Sequence, residues 1–118
     1  MRKFIFLVSV CMFFSCSGLM AQTQMEMNAK AQKEYQKADA ELNKVYQKLM
    51  KILSKEDKKL LITAQKDWLK FRDSHCKFES QQYDGGSIQP LIIATCLSQQ
   101  TTKRVNDLKA SLKERSSR

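Results

Sequence analysis

The chain has 118 residues, with 21 lysines and arginines against 12 aspartates and glutamates and one histidine, a formal charge of +9. That length suits one domain with a single modest core, and the charge suits anionic partners. After the opening stretch no segment approaches the roughly 20 apolar residues that a spanning helix needs, which excludes a multi-span membrane protein.

Met1-Arg2-Lys3 is a basic start, Phe4 to Phe14 an almost unbroken apolar run, and Leu19-Met20-Ala21 leads into polar Gln22. This order is that of a secretory signal peptide, here residues 1–21, cleaved after Ala21. Phe13-Phe14-Ser15-Cys16 supplies the alternative, a lipobox with phenylalanine at the usual Leu or Val position and Cys16 as the lipidated residue. In both readings the protein is exported, periplasmic or secreted, and meets an oxidising compartment in which disulfides persist. Removing Arg2 and Lys3 with the signal leaves 19 basic residues against 12 acidic ones, a formal +7, over the domain 22–118. It also leaves two cysteines, Cys76 and Cys96, and two thiols in an exported chain read first as one disulfide.

Thr23-Gln24-Met25-Glu26 has the spacing of a capping box, so the first helix of the mature chain is expected to start there. Apolar residues then recur at Met27, Ala31, Tyr35, Ala38, Leu42, Val45, Leu49 and Ile52, alternating steps of four and three that make one helical face. Ser54, with Glu56 and Asp57 close behind it, is the next N-cap. The second helix is predicted from about Lys55 to Gln82, with Leu60, Leu61, Ala64, Trp68, Phe71, His75 and Phe78 inside. Gly85-Gly86-Ser87 ends it, the glycines permitting positive φ and Ser87 capping the next helix. Pro90 fits the first turn of that third helix, whose face of Leu91, Thr95, Ser98, Thr102, Val105, Leu108 and Leu112 is polar enough to be partly exposed. Residues 113–118 form a basic tail. The whole is an all-α, antiparallel arrangement of three helices. Cys76 and Cys96 flank the glycine turn at similar distances, which sets them side by side in a hairpin and predicts one interhelical disulfide.

Several motifs together carry a resemblance: residues 24–46, then Gln65-Lys66-Asp67-Trp68-Leu69-Lys70-Phe71-Arg72-Asp73-Ser74-His75-Cys76, then Gly85-Gly86-Ser87, and Cys96 with Thr101, Arg104 and Leu108. In that order they resemble the lysozyme inhibitor LprI-like N-terminal domain, a family of small exported bacterial proteins, over nearly all of the mature chain. The resemblance implies a helical fold, a periplasmic or cell-surface location and the Cys76–Cys96 bridge. Many members carry a second cysteine pair, one of them near the position of Lys30. Its absence here leaves the first helix to be held by packing.

The candidate site residues fall into three groups. Asp39, Asn43 and Tyr46 form a polar stripe on the first helix, matched by Gln65, Trp68 and Arg72 on the second. With Asp73 and Arg104 they make either an interhelical polar network or a shallow ligand groove. Asp39 and Asp73 are expected to meet arginines or cap backbone amides. Gly85, Gly86 and Ser87 read as a turn and cap, the alternative being an anion nest. His75 beside Cys76 lacks the three or four convergent ligands of a metal site, and a disulfide at Cys76 removes the thiol that a Cys-His nucleophile needs. No catalytic residue, metal or cofactor is therefore assigned, and Asp39, Asp67, Asp73 and Asp84 are not spaced as an acid–base pair.

The functional expectation is a non-enzymatic exported binding protein. The resemblance implies lysozyme or another envelope protein as partner and inhibition by steric occlusion of a muramidase. The alternative is a structural or stress-related envelope protein whose lysines, from Lys30 to Lys70, hold anionic glycan or lipid. No nucleic-acid partner is expected, since there is no recognition motif or interleaved aromatic stack.

Overall fold

The computed structural model describes the backbone of residues 2–118 and the side chains from Gly18 onward. The apolar run Phe4 to Phe14, Cys11 and the lipidation position Cys16 thus lie outside the described side chains. Three helices succeed one another along the chain: α1, Arg2–Ile52; α2, Lys55–Ser80, extended by a 3-10 turn at Gln81–Tyr83; and α3, Gln89–Ser116. Among the described residues there is no strand, and no helix is long and apolar enough to cross a membrane.

The helix joints are set by local chemistry. Ser54 caps α2, its Oγ accepting from the Asp57 amide at 3.1 Å, with Glu56 and Asp57 in the first turn as the helix dipole favours. Gly85 adopts φ +75°, and a Cβ on Gly86 would stand 3.1 Å from the Tyr83 carbonyl that the Gly86 amide bonds. Two consecutive glycines are what this turn requires. Ser87 makes no capping bond: Ile88 occupies the N-cap position, and Pro90 sits in the first turn of α3. Thr23 likewise does not start a helix in the whole chain. It lies within α1 and its hydroxyl donates to the Leu19 carbonyl at 2.9 Å, because the helix is already under way.

The α2–α3 hairpin is antiparallel, as four contacts that advance along one helix while retreating along the other establish: Asp57–Arg115, Gln65–Arg104, Arg72–Thr101 and Cys76–Cys96. The bridge joins Cα atoms 5.5 Å apart. Helix α3 runs parallel to α1, since Arg72 reaches both Tyr35 and Thr101 while Glu41 pairs with Lys109 further along both helices. α1 and α3 are the most closely packed pair. The buried core is Leu42, Val45, Leu49, Val105 and Leu108, with Tyr46, Leu53, Leu61, Trp68 and Leu112 against it. Lys109 also holds the partly exposed Glu41 carboxyl below its ordinary pKa, by hydrogen bond and by charge. Being depressed in the fold, this group stabilises above the usual carboxylate range and loses that contribution as pH falls through its lowered value.

Two helical phases differ from those the sequence suggests. On α2 the inward row is Leu61, Trp68, Arg72, Cys76 and Ser80, while Leu60, Phe71 and Phe78 are 69, 56 and 74% exposed. The disulfide and Arg72 fix that rotation, since Cys76 and Phe78 lie too far apart around a helix to face one neighbour. On α3 the buried residues are Ala94, Cys96, Thr101, Val105 and Leu108, while Thr95 and Thr102 are exposed. The polar residue of this face lies deepest: Thr101 is 0% exposed.

The bridge closes a loop across a sequence separation of 20 residues, which the chain-entropy account values at about 3 kcal/mol. Cys76→Ser is expected to lower the unfolding free energy by about 2–5 kcal/mol. Chemical denaturation of the oxidised wild type and the variant measures it, and two free thiols in protein taken from an oxidising compartment would contradict the bridge.

Candidate functional site

The polar side chains that the structure brings together converge on Arg72. Its position in the middle of α2, one turn after Trp68 and one before Cys76, turns it to the junction of all three helices. Only 7% of it is exposed. The guanidinium carbon lies 5.5 Å from the centroid of Tyr35 on α1 and 5.3 Å from that of Trp68 on α2. Nη1 donates to Thr101 Oγ1 on α3 across a long 3.5 Å. Nε and Nη2 both reach Asp73 Oδ1 at 2.9 Å, so the fork closes on one carboxylate oxygen.

Trp68 carries a second cation. Arg104 of α3 sits 5.8 Å from its centroid, and Arg104 Nε donates to Gln65 Oε1 at 3.0 Å. Desolvation pushes the Arg104 pKa down from its ordinary value, which leaves an arginine charged at physiological pH. Every buried side-chain nitrogen and oxygen among the described residues has a hydrogen-bond partner.

The remaining candidates are placed differently. Tyr46 is half-buried against the apolar core. Asn43 is exposed, and Asp39, half-buried, forms no ion pair among the described residues. Asp73 therefore meets an arginine and Asp39 does not. Gly85 and Gly86 form the turn, with Ser87 beside it making no side-chain hydrogen bond among the described residues. Tyr35 and Thr101, which complete the surroundings of Arg72, are absent from the site read out of the sequence. The signal for Thr101 was its place seven residues before Leu108 and four before Val105, on the buried face.

For acid–base or nucleophilic chemistry the arrangement offers little. His75 stacks on Phe71, ring centroids 5.4 Å apart and planes within 16°. The sulfur of Cys76 is committed to the bridge. Asp73 and Asp84 border one open groove, but about three helical turns apart, and Asp84 accepts from Gln89 Nε2 at 3.5 Å. No group of three or more His, Cys, Asp or Glu side chains converges as a metal site among the described residues.

The profile of the family described as Lysozyme inhibitor LprI matches residues 16–108, from before the described side chains of α1 to the last buried leucine of α3. An uncharacterized protein of Rhizobium meliloti is 34% identical over 102 residues, covering 75% of this chain and 73% of its own. No solved structure matches.

The magnitudes rank the contacts of Arg72. Asp73 is mostly exposed although Arg72 is not, so water can take the place of its carboxylate at that open edge of the guanidinium, and the pair contributes on the order of 1 kcal/mol. Two aromatic faces on a desolvated guanidinium contribute about 2 kcal/mol or more. Asp73→Ala is accordingly expected to cost less than about 1 kcal/mol, and Arg72→Lys, which keeps the charge and loses the planar stacking, about 2 kcal/mol. Paired denaturation curves check the order; a larger loss in the aspartate variant would make the carboxylate the anchor instead.

Proposed function

The chain belongs to the lysozyme inhibitor LprI family, and from that premise we propose that it is an exported protein that inhibits a lysozyme-type muramidase by binding and occluding it. The family match over residues 16–108 is the observation that carries the reading. The domain performs no chemistry of its own in this account: it presents a rigid surface, and rigidity comes from the bridged hairpin and the three-helix contacts of Arg72. Rigid partners lose little conformational entropy on docking, which favours occlusion by shape.

Export proceeds through residues 1–21, removed after Ala21. In the whole chain that bond lies inside α1. Cleavage creates a new helix start, and there the Thr23–Glu26 spacing is free to act as the cap that the uncut helix does not use.

Charge constrains how such an inhibitor works. After removal of Arg2 and Lys3 the mature chain carries a formal +7, and animal lysozymes of the common type are cationic as well, so long-range forces repel the two. Binding then depends on a short-range, well-packed contact. The purified mature protein is expected to inhibit at least one lysozyme to saturation, with the inhibition kept as ionic strength rises to about 0.15 M, where charges are screened beyond roughly 8 Å. Absence of inhibition across several muramidases, together with salt-sensitive binding to anionic envelope polymer, would replace this reading.

A further inference from the structure

The α2 helix carries more apolar surface outward than its place in the fold explains. Phe71 and Phe78 are 56 and 74% exposed, and His75 between them stacks on Phe71. Of these three, His75 reaches an open groove of about 480 Å³ between α2 and α3, which it lines with Glu79, Leu91, Ile92, Thr95 and Gln99. Scattered apolar residues on a surface are ordinary, but two large exposed phenylalanines in one sector of a helix, one of them stacked on a groove-lining histidine, mark a candidate contact site.

The charges around this patch are unlike those of the rest of the chain. At about 100° per residue from Phe71, Phe78 lies at roughly −20°, Asp67 at −40°, His75 at +40° and Glu79 at +80° around α2. Lys59, Lys66, Lys70 and Lys77 fall at about −100° to −140°, on the side away from the groove. The α3 side of the groove is uncharged, with Lys103 one turn beyond Gln99 at its margin. A chain with a formal +9 thus bears one aromatic face whose nearest charges on α2 are acids.

We infer that this face is the docking surface for a cationic muramidase, an inference that rests on the proposed function. A positive partner is repelled by the lysine-bearing sides and admitted where the local charge is reversed, so charge selects the orientation of encounter. Phe71 and Phe78 then supply the desolvated centre of the contact, and Asp67 and Glu79 its polar rim.

The test compares the full chain with three double variants as inhibitors of a cationic c-type lysozyme, each variant first shown by its melting curve to be folded. Phe71→Ser with Phe78→Ser, and Asp67→Lys with Glu79→Lys, are each expected to weaken inhibition at least tenfold. Lys33→Glu with Lys37→Glu, on α1, is expected to inhibit as well as the wild type or better, since it reduces net repulsion. Wild-type inhibition that survives both of the first two variants overturns the docking face and leaves the proposed function standing. A wild type that inhibits no muramidase overturns both. A concentration-dependent dimer in sedimentation, abolished by the phenylalanine variant, would make a second copy of the chain the occupant and overturn the inference, as would stronger inhibition on charge reversal.

Discussion

One buried guanidinium ties the three helices together. A charge taken out of water is costly unless other groups replace its solvation, and Arg72 is surrounded accordingly, by an aromatic ring from α1, another from its own helix, a hydroxyl from α3 and the neighbouring Asp73. These contacts are directional in a way that apolar packing is not. Moving any helix by one turn separates Arg72 from a partner, so the arrangement specifies register as well as holding the bundle closed. Trp68 extends the same principle by serving two arginines at once.

Among the described residues the buried apolar cluster is small: Leu42, Val45, Leu49, Val105 and Leu108 on α1 and α3, to which α2 adds only half-buried Leu61 and Trp68. The attachment of α2 therefore leans on its covalent bridge and on polar contacts with α3, which recur along the hairpin from Asp57–Arg115 to Cys76–Cys96. The two glycines that make the turn allow the helices to start back at the right separation for that ladder.

How much of this was legible in the sequence varied by helix, for physical reasons. The α1 face from Ala31 to Leu49 is apolar where it is buried and polar elsewhere, so periodicity alone locates it. Only its ends, Met27 and Ile52, lie exposed. On α2 two rows compete: Phe71 and Phe78 are the more hydrophobic, yet Arg72, Cys76 and Ser80 are the ones enclosed. Hydrophobicity reads the wrong row because the rotation is decided by a covalent bond and a shared cation. On α3 a hydroxyl at 101 is hidden and one at 102 is not, a distinction that composition does not make. The motif order pointed to the family, and the cysteine spacing to the bridge. Trp68 and Asp73 were already grouped with Arg72 by their spacing on α2, whereas Tyr35 and Thr101 were not legible as its company, since they lie on the two other helices and no spacing along the chain relates them to it.

The pairing of α1 with α3 also bears on the order in which the molecule comes into being. The first helix has its principal partner in the last, so the Leu42–Val45–Leu49 seam has only half-buried side chains such as Leu61 and Trp68 to close against until Val105 and Leu108 have been synthesised. Contacts so distant along the chain form slowly, since a long loop must close before they stabilise anything. Under the proposed export this delay is useful. A chain that lacks its core until nearly complete stays unfolded while it is threaded through a membrane, and it meets the oxidant that joins Cys76 to Cys96 only on the far side. Translocation and maturation are thereby kept in sequence by topology.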